Sequence, residues 1–293
     1  MPTQIQAPEE RGFGPFVTFV VRRRPDGVVA RWESRAHRKH LSGAARGSTW
    51  WAPHDRDWWI GVLFAVGSLL FALGTVPAYV DAVGGQPDAV TFFVGSLFFT
   101  SAGFLQYREA VDAAPRRPAD AAPQRPGAAR RKIFVFQPGR IDWLATAVQL
   151  VGTVEFNVST FVAIWAAVGS AAARHHVWRP DVFGSACFLV ASALAWFEVC
   201  HGWVAWRPRS LAWWITGLNL AGSVAFGFSA IASYVIPGTT QLLSVPVTNI
   251  GTFVGAVCFL AGAVLLLFER TEEVPAVPAA PPRQADPAQP AQP

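Results

Sequence analysis

Charged side chains are scarce in this chain: Asp, Glu, Lys and Arg make up 15% of its 293 residues, against about a quarter in soluble globular domains. Hydrophobic residues account for 52%, and the mean hydropathy is +0.30. This balance excludes an ordinary soluble domain and indicates a membrane protein.

Signatures of catalysis and metal binding are missing as well. The sequence has no nucleophile elbow, no phosphate-binding loop, no dinucleotide-binding glycine pattern and no zinc-ligand spacing. The three cysteines, Cys187, Cys200 and Cys258, are expected to behave as small apolar residues. Glu198-x-x-His201 places a carboxylate and an imidazole on one helical face, but the second copy that a two-metal bundle requires is absent. We therefore predict no enzyme activity, no metal and no cofactor.

Long apolar runs are present instead, and six of them are long enough to cross about 30 Å of hydrocarbon. They cover residues 58–79, 90–107, 142–165, 182–204, 211–236 and 249–268. The predicted fold is all-α: a polytopic membrane protein with six transmembrane helices.

Two sequence markers recur three times within these runs. The first is Gly-Ser/Thr-x-x-Phe, which begins at Gly67, Gly152 and Gly222. The second is a Gly that precedes a Glu by fourteen residues, and its pairs are Gly95 with Glu109, Gly184 with Glu198, and Gly255 with Glu269. Internal repetition of this kind predicts three two-helix hairpin repeats. Since each repeat has an even number of helices, the repeats should be related by an axis along the membrane normal.

The basic residues indicate the orientation. Of the 24 Lys and Arg residues, 22 fall on one side of the predicted helices, and Arg174 and Arg179 are the other two. The positive-inside rule then places both termini in the cytoplasm of a multi-pass protein of the cell membrane. The small number of Lys residues and the abundance of Ala and Pro are typical of a bacterial genome rich in G and C, which suggests a bacterial inner membrane.

These features divide the chain into six parts. The predicted boundaries are 1–57 for a cytoplasmic N-terminal segment, 58–109 for the first hairpin, 110–140 for a basic Pro/Ala linker, 141–204 for the second hairpin, 205–270 for the third and 271–293 for a Pro/Ala tail. In the N-terminal segment, Phe13–Ser34 should form a small β-hairpin that turns at residues 25–27. The linker from Ala113 to Ala129 and the tail are predicted to be disordered.

The basic cluster from Arg35 to His40 follows the predicted β-hairpin directly. We interpret it as a solvated charge run that faces anionic lipid headgroups. The net charge of +5 then reflects membrane topology. The predicted partners are the lipid bilayer and, through the Arg-rich segments, anionic headgroups; nucleic acid is not expected, and no protein partner is specified.

The three repeated glutamates lie at the cytoplasmic ends of the even-numbered transmembrane helices. Each odd-numbered helix begins at the same depth with a basic residue: Arg56, Arg140 or Arg209. The simpler prediction is an interfacial Glu–Arg ion pair in each repeat. The alternative is a ring of carboxylates that binds a cation, which requires the three glutamates to converge on one axis.

Glu155 breaks the repeat symmetry, because the sister positions are Leu70 and Ala225. An acid near the bilayer centre is either a proton or cation site or a neutral carboxyl hydrogen-bonded to a neighbouring helix. Gln149, Asn157 and Asn219 complete a candidate intramembrane polar site. These amides are expected to join helices by hydrogen bonds, and ligand contact is the alternative.

The repeat unit resembles the YrhK-like domain of bacterial membrane proteins. An aromatic start, Gly-Ser-x-x-Phe, a short external loop and Gly-Ser/Ala-x-x-Phe-x-x-x-x-x-Leu carry the resemblance, which is clearest in Trp59–Glu109 and looser in Asp142–Glu198 and Trp213–Glu269. The resemblance supports the fold and leaves the activity open. Because the sequence contains no catalytic set, the predicted function is structural, sensory or partner-binding. The alternative is a small-molecule or ion transporter that uses Glu155 as an intramembrane proton or cation site.

Overall fold

Six long helices form most of the protein. The computed structural model describes residues 9–23, 29–39, 50–113, 134–166, 171–236, 239 and 241–269. In this part of the chain, six helices are long and apolar enough to cross a membrane. They are α2 (Arg56–Gly74), α4 (Gly85–Asp112), α5 (Ile141–Ala166), α6 (Ala171–Cys200), α7 (Leu211–Ala232) and α8 (Val245–Glu269). The prediction of a multi-pass membrane protein is confirmed at this level.

Several helix boundaries differ from the predicted ones, among them the end of α2 and the start of α6. α2 ends at Gly74 rather than at residue 79, and a separate short helix, α3 (Pro77–Val83), follows it. Pro77 explains the break, because proline lacks the backbone N–H that a continuing helix needs and is favoured at a helix start. α6 begins at Ala171 rather than at 182. Hydropathy missed its first turns because they contain Arg174 and Arg179.

The N-terminal segment forms a three-stranded sheet and not the predicted two-stranded hairpin. Strands β1 (Glu9–Phe13), β2 (Phe16–Arg23) and β3 (Val29–Glu33) pair antiparallel in that order. β1 was missed because its sequence, EERGF, lacks the apolar alternation of a strand. A short helix, α1 (Ser34–Arg38), follows β3 without a loop. We call β1 to β3 and residues 34–39 the N-terminal unit.

Some sequence predictions lie outside the described residues. They are the turn at 25–27, the linker beyond residue 113 as far as residue 133, and the tail at 271–293.

The six long helices form a closed ring. Each packs against the next along the chain, and α8 packs against α2. α2, α5 and α7 begin at the end of the ring that carries the N-terminal unit, where α4, α6 and α8 end. We call this the charged end.

Six phenylalanines, one from each helix, fill the centre of the ring. Phe71, Phe156 and Phe226 lie with ring centroids 6.1 to 6.4 Å apart. Phe99, Phe188 and Phe259 form a second triangle with separations of 5.6 to 6.2 Å. The two triangles contact each other within each hairpin at 5.1 to 5.6 Å. All six side chains are at most 6% exposed, so the axis of the ring is occupied by packed aromatic rings.

The motif glycines allow the two helices of each hairpin to approach closely. A methyl group built on Gly67 would lie 2.7 Å from the Phe99 ring and 2.9 Å from the carbonyl oxygen of Gly95. Gly222 would meet Phe259 at 2.8 Å and the Gly255 carbonyl at 3.0 Å. Gly152 has the same relation to Phe188 and Gly184, at 3.0 and 3.1 Å. Close backbone approach through small residues is how helices associate in lipid.

Candidate functional site

The most highly charged region of the described protein is buried where α1 meets the charged end. Arg35, Arg38 and Lys39 are 6%, 4% and 8% exposed. Their spacing of i, i+3 and i+4 places them on one side of a helical turn. The interpretation of these three residues as a solvated, lipid-facing run is therefore wrong. It failed because their partners lie far away in the sequence.

Arg35 pairs with the third hairpin. Its Nε and Nη2 atoms donate to the two carboxylate oxygens of Glu269 at 2.6 and 3.0 Å. Two parallel hydrogen bonds between a guanidinium and a carboxylate combine charge with a fixed orientation.

Arg38 pairs with the second hairpin. Its Nη1 atom lies 3.2 Å from both oxygens of Glu198 and 3.6 Å from Oδ2 of Asp142. The Ser34 hydroxyl also donates to Glu198, at 2.6 Å. Arg140, at the start of α5, forms an ion pair with the same Asp142.

Lys39 reaches the first hairpin. Its Nζ atom lies 3.5 Å from Asp57 and 3.7 Å from Glu109, and Glu269 of the third hairpin is 3.8 Å away. Each basic residue thus has its main contacts with a different hairpin. We call Asp57, Glu109, Asp142, Glu198 and Glu269 the carboxylate ring.

The glutamates converge, but on partners other than the predicted ones. Arg56 pairs with Asp112 at 2.9 Å, and Arg140 with Asp142. Arg209 forms no ion pair with a described residue. The predicted Glu–Arg pair within each repeat is therefore wrong. The three glutamates instead surround the cationic side chains of Arg35, Arg38 and Lys39. The alternative prediction required the glutamates to converge on a cation, and here the cations they meet are side chains of the same chain.

The carboxylates keep the basic residues of α1 and its C-cap Lys39 charged. Burial by itself lowers the pKa of Lys39, but Asp57, Glu109 and Glu269 outweigh it, and the pKa is raised from its ordinary value. Burial likewise lowers the pKa of the Arg38 guanidinium, and the carboxylates of the ring raise it by more. These side chains therefore remain cations at every physiological pH.

Glu109 differs from its two sister glutamates in its bonding. Both of its carboxylate oxygens are buried without a hydrogen-bond partner, and so is Nε of Arg38, which lies 3.7 Å from Oε1. Buried polar atoms normally have partners. Within the described residues, no group of three His, Cys, Asp or Glu side chains has the arrangement of a metal site.

The sheet of the N-terminal unit contacts the end of α6. The ring of Phe13 stacks on Phe197 at 4.1 Å and meets Trp203 edge-on at 4.9 Å. The Thr18 hydroxyl is hydrogen-bonded to Nδ1 of His201 at 2.9 Å. Glu198 and His201 therefore both serve the docking of the N-terminal unit, through different contacts.

His201 ends α6 in a conformation that glycine usually adopts. Its φ is 53°, and the N–H groups of His201 and Gly202 bond back to the carbonyls of Glu198 and Phe197. This is the Schellman arrangement, whose left-handed residue is most often Gly. The strained backbone aims the imidazole at the sheet.

The predicted intramembrane polar site is not assembled as a cluster of hydrogen bonds. Glu155 is half-buried, makes no hydrogen bond or ion pair with a described residue, and has Cys187 as its neighbour. The side chains of Gln149, Asn157 and Asn219 also form no hydrogen bond within the described protein. Oδ1 of Asn219 packs against Gly262.

Hydroxyl groups join the helices instead of these amides. Ser96 of α4 contacts Thr160 of α5 at 3.0 Å, and Ser192 of α6 contacts Ser223 of α7 at 2.8 Å. Serine and threonine suit this role because they are small enough for a close helix interface.

A repeated aromatic motif at the charged end was missed in the sequence. An aromatic residue and, two positions later, a proline precede the first Trp of α2, of α5 and of α7. Trp51 packs edge-on against Trp58 at 5.0 Å, Phe136 against Trp143 at 5.4 Å, and Trp206 against Trp213 at 5.2 Å. The constant spacing of seven residues was the signal that could have revealed it.

Comparison of the chain with family models, curated proteins and solved structures yields no match.

Proposed function

We propose that this chain is a non-catalytic, multi-pass protein of the cell membrane with a structural, sensory or partner-binding role, in which the charged end of the bundle is a docking site. Its six helices are best described as three two-helix repeats around a common axis. Equivalent contacts of Gly67, Gly152 and Gly222, and the two triangles of phenylalanine rings, support that arrangement.

One observation carries the proposal: Arg35 and Arg38 of α1 and Lys39, which caps its C-terminus, bridge all three hairpins. Breaking a buried ion pair leaves an uncompensated charge, which costs about 3 to 5 kcal/mol. The N-terminal unit can therefore report on the relative positions of the hairpins, or hold them in place. Such a coupling between a soluble unit and a membrane bundle suits a structural or sensory protein.

The distribution of basic residues favours a cytoplasmic position for the charged end and for both termini. The membrane is proposed to be a bacterial inner membrane, on composition and on the resemblance of Trp59–Glu109 to YrhK-like domains. The basic residues outside α1 remain the proposed contacts with anionic lipid headgroups, because Arg35, Arg38 and Lys39 are engaged within the protein.

The transporter alternative is less well supported. A substrate that moved along the axis would have to displace six buried phenylalanines. Glu155 lies beside the outward positions Val151, Val154 and Val158, which are 46% to 50% exposed, and so it borders the lipid-facing side of α5.

Reconstitution into liposomes tests the proposed function. We expect no proton or cation flux above that of protein-free liposomes, and we expect an Arg38→Gln variant to be less stable without gaining flux. Proton or cation flux through the wild-type protein that disappears in Glu155→Gln would overturn the proposal in favour of a transporter. Equal thermal stability of wild type and Arg38→Gln would remove the docking role of the charged end.

A further inference from the structure

The carboxylate ring is one cation short within the described protein. Its five carboxylates are met within 4 Å by the four basic side chains of Arg35, Arg38, Lys39 and Arg140. The shortage falls on Glu109. Glu198 accepts from Ser34 and Arg38, and Glu269 accepts from Arg35, whereas Glu109 accepts no hydrogen bond.

The contacts of Lys39 and Arg38 with the carboxylates around Glu109 are also longer than direct hydrogen bonds. The distances from Lys39 to its three carboxylates are 3.5 to 3.8 Å, which is longer than the 2.7 to 3.2 Å of a direct N–H···O hydrogen bond. Nε of Arg38 is buried without an acceptor although Oε1 of Glu109 is 3.7 Å away. Two unsatisfied buried groups of opposite charge therefore face each other.

The rest of the N-terminal unit is attached at one edge. Its aromatic and hydroxyl contacts are with the end of α6, through Phe13, Thr18 and Phe19. The centre of the interface is polar and charged. Polar interfaces of limited extent between units of one chain commonly open and close.

We propose that the carboxylate ring is a receptor for a cationic helical segment of a partner protein, that α1 is its resident ligand, and that Glu109 is the position for one further cation. This inference rests on the proposed function, because it takes the charged end as a docking site. The ligand class is a short helix with basic residues at i, i+3 and i+4 and a fourth basic residue one turn further. A fourth cation would balance the ring and supply the hydrogen bonds that Glu109 lacks.

Exchange after cleavage tests the receptor without changing any residue of the site. A protease site is placed between residues 41 and 48 of the full chain, and the purified protein in detergent is cut after folding. Three fluorescent peptides serve as probes: residues 29–43, the same peptide with Ser42→Lys, and a control in which Arg35, Arg38 and Lys39 are replaced by Glu. Size-exclusion chromatography checks that the cut protein remains folded.

We expect the native probe to bind the cut protein at least about tenfold more tightly than the uncut protein, with loss of the N-terminal fragment. The Ser42→Lys probe should bind more tightly still, and the control should not bind. Retention of the N-terminal fragment under excess probe, or equal binding of the native and control peptides, would overturn the receptor.

A Glu109→Gln variant of the cut protein tests the fourth position. We expect it to bind the native probe and to lose the advantage of the Ser42→Lys probe; a retained advantage would overturn the role of Glu109. Flux measured on the same preparation separates the two proposals. If exchange fails and no flux is seen, only the receptor proposal is contradicted. Flux that depends on Glu155 would contradict the proposed function, on which the receptor proposal rests.

Discussion

At the scale of single residues, Glu109, Glu198 and Glu269 occupy equivalent positions in the sequence and yet have different surroundings. All three are at most 5% exposed, but their hydrogen bonds depend on which atom of α1 reaches them. A single short helix has no threefold symmetry, so it cannot satisfy three related carboxylates equally. Part of the asymmetry of the site therefore comes from the ligand helix.

Removing the charge of Arg38 is expected to destabilise the protein strongly. Arg38→Gln leaves Glu198 buried without its main cation and takes a second cation away from Asp142, which keeps Arg140. We expect a loss of about 3 to 5 kcal/mol. Arg56→Gln is the matched control, because its pair with Asp112 is 38% and 26% exposed and such pairs contribute at most about 1 kcal/mol. Unfolding in detergent, followed by circular dichroism, compares the two. Equal losses would show that burial of the pair is unimportant.

His201 is expected to make the docking of the N-terminal unit sensitive to acid. Burial, followed by the positive charge of Arg207, lowers the pKa of His201 to about 4 from 6.5. Two further arginines act in the same direction, and Glu33 lies 3.6 Å from Nε2. The imidazole is therefore neutral in the folded protein at pH 7.

The direction of the pH effect on stability depends on whether the folded or the unfolded state binds the proton at the higher pH. Between pH 6.5 and about 4 the unfolded state is protonated and the folded state is not, so stability is full above pH 6.5 and falls as the pH drops towards 4. The loss is at most about 3 to 4 kcal/mol, because one pKa unit corresponds to about 1.4 kcal/mol. His201→Asn, which tolerates the positive φ, should flatten the dependence. An unchanged pH profile of thermal unfolding in this variant would assign the effect to other groups.

Substitutions at Glu155 distinguish a proton or cation site from a structural carboxyl. If it carries a proton or cation, Glu155→Gln should keep the fold and abolish any pH-dependent flux or conformational signal; a structural carboxyl should tolerate Gln, whereas Leu should be destabilising. The half-buried position without a hydrogen-bond partner leads us to expect both variants to be nearly as stable as wild type. Thermal unfolding and flux are measured in parallel. A marked loss of stability in Glu155→Leu would contradict this expectation.

At the scale of helices, the motif glycines should control hairpin assembly. Gly222→Ala introduces a methyl group 2.8 Å from Phe259 and 3.0 Å from the Gly255 carbonyl, so we expect a loss of about 1 to 3 kcal/mol. Gly222→Leu should prevent folding. Gly227 lies on the same helix, and a methyl group there meets no atom within 4 Å.

Gly227→Ala is thus the matched control. It should be neutral or stabilising by up to about 1 kcal/mol, because alanine favours the helix over glycine. Thermal unfolding of the two Ala variants in the same detergent gives the comparison. A stable Gly222→Leu protein would show that this glycine does not lie at a tight helix interface.

The sequence was informative about elements where the pattern is local. Apolar runs and the spacing of Gly and Phe predicted the six long helices, because each signal depends on residues within a few turns. β1 and the start of α6 were missed because polar residues lie there. The charge cluster was missed for a different reason: 160 residues separate Arg38 from Glu198, and sequence spacing cannot show such pairing. The repeat positions of the glutamates allowed the prediction that they converge, but the sequence did not show which cation they meet.

At the scale of the whole molecule, packing at the centre and charge at one end act on the same six helices. The six phenylalanine side chains pack together at the centre of the helix bundle, and α1 bridges the three hairpins at the charged end. An apolar core is non-directional, whereas bidentate ion pairs have fixed geometry. The core therefore supplies cohesion between helices, and the charge cluster selects one arrangement of the hairpins and one position of the N-terminal unit.

The orientation of this arrangement is open to a direct test. Because 22 of 24 basic residues lie on one side of the helices, we expect the charged end to face the cytoplasm. In a background with Cys187, Cys200 and Cys258 replaced by Ala, single cysteines are introduced by Gln86→Cys and Gly139→Cys. Both positions are exposed.

A membrane-impermeant maleimide added to intact cells should label the Gln86→Cys protein, which lies at the opposite end of the bundle. The Gly139→Cys protein should react only after the cells are permeabilised, because Gly139 lies two residues before the start of α5 at the charged end. A methyl group at Gly139 meets no atom within 4 Å, so a failure to react in intact cells would reflect the membrane and not burial. The reverse labelling pattern would place the N-terminal unit outside the cell and would require its partner to be extracytoplasmic.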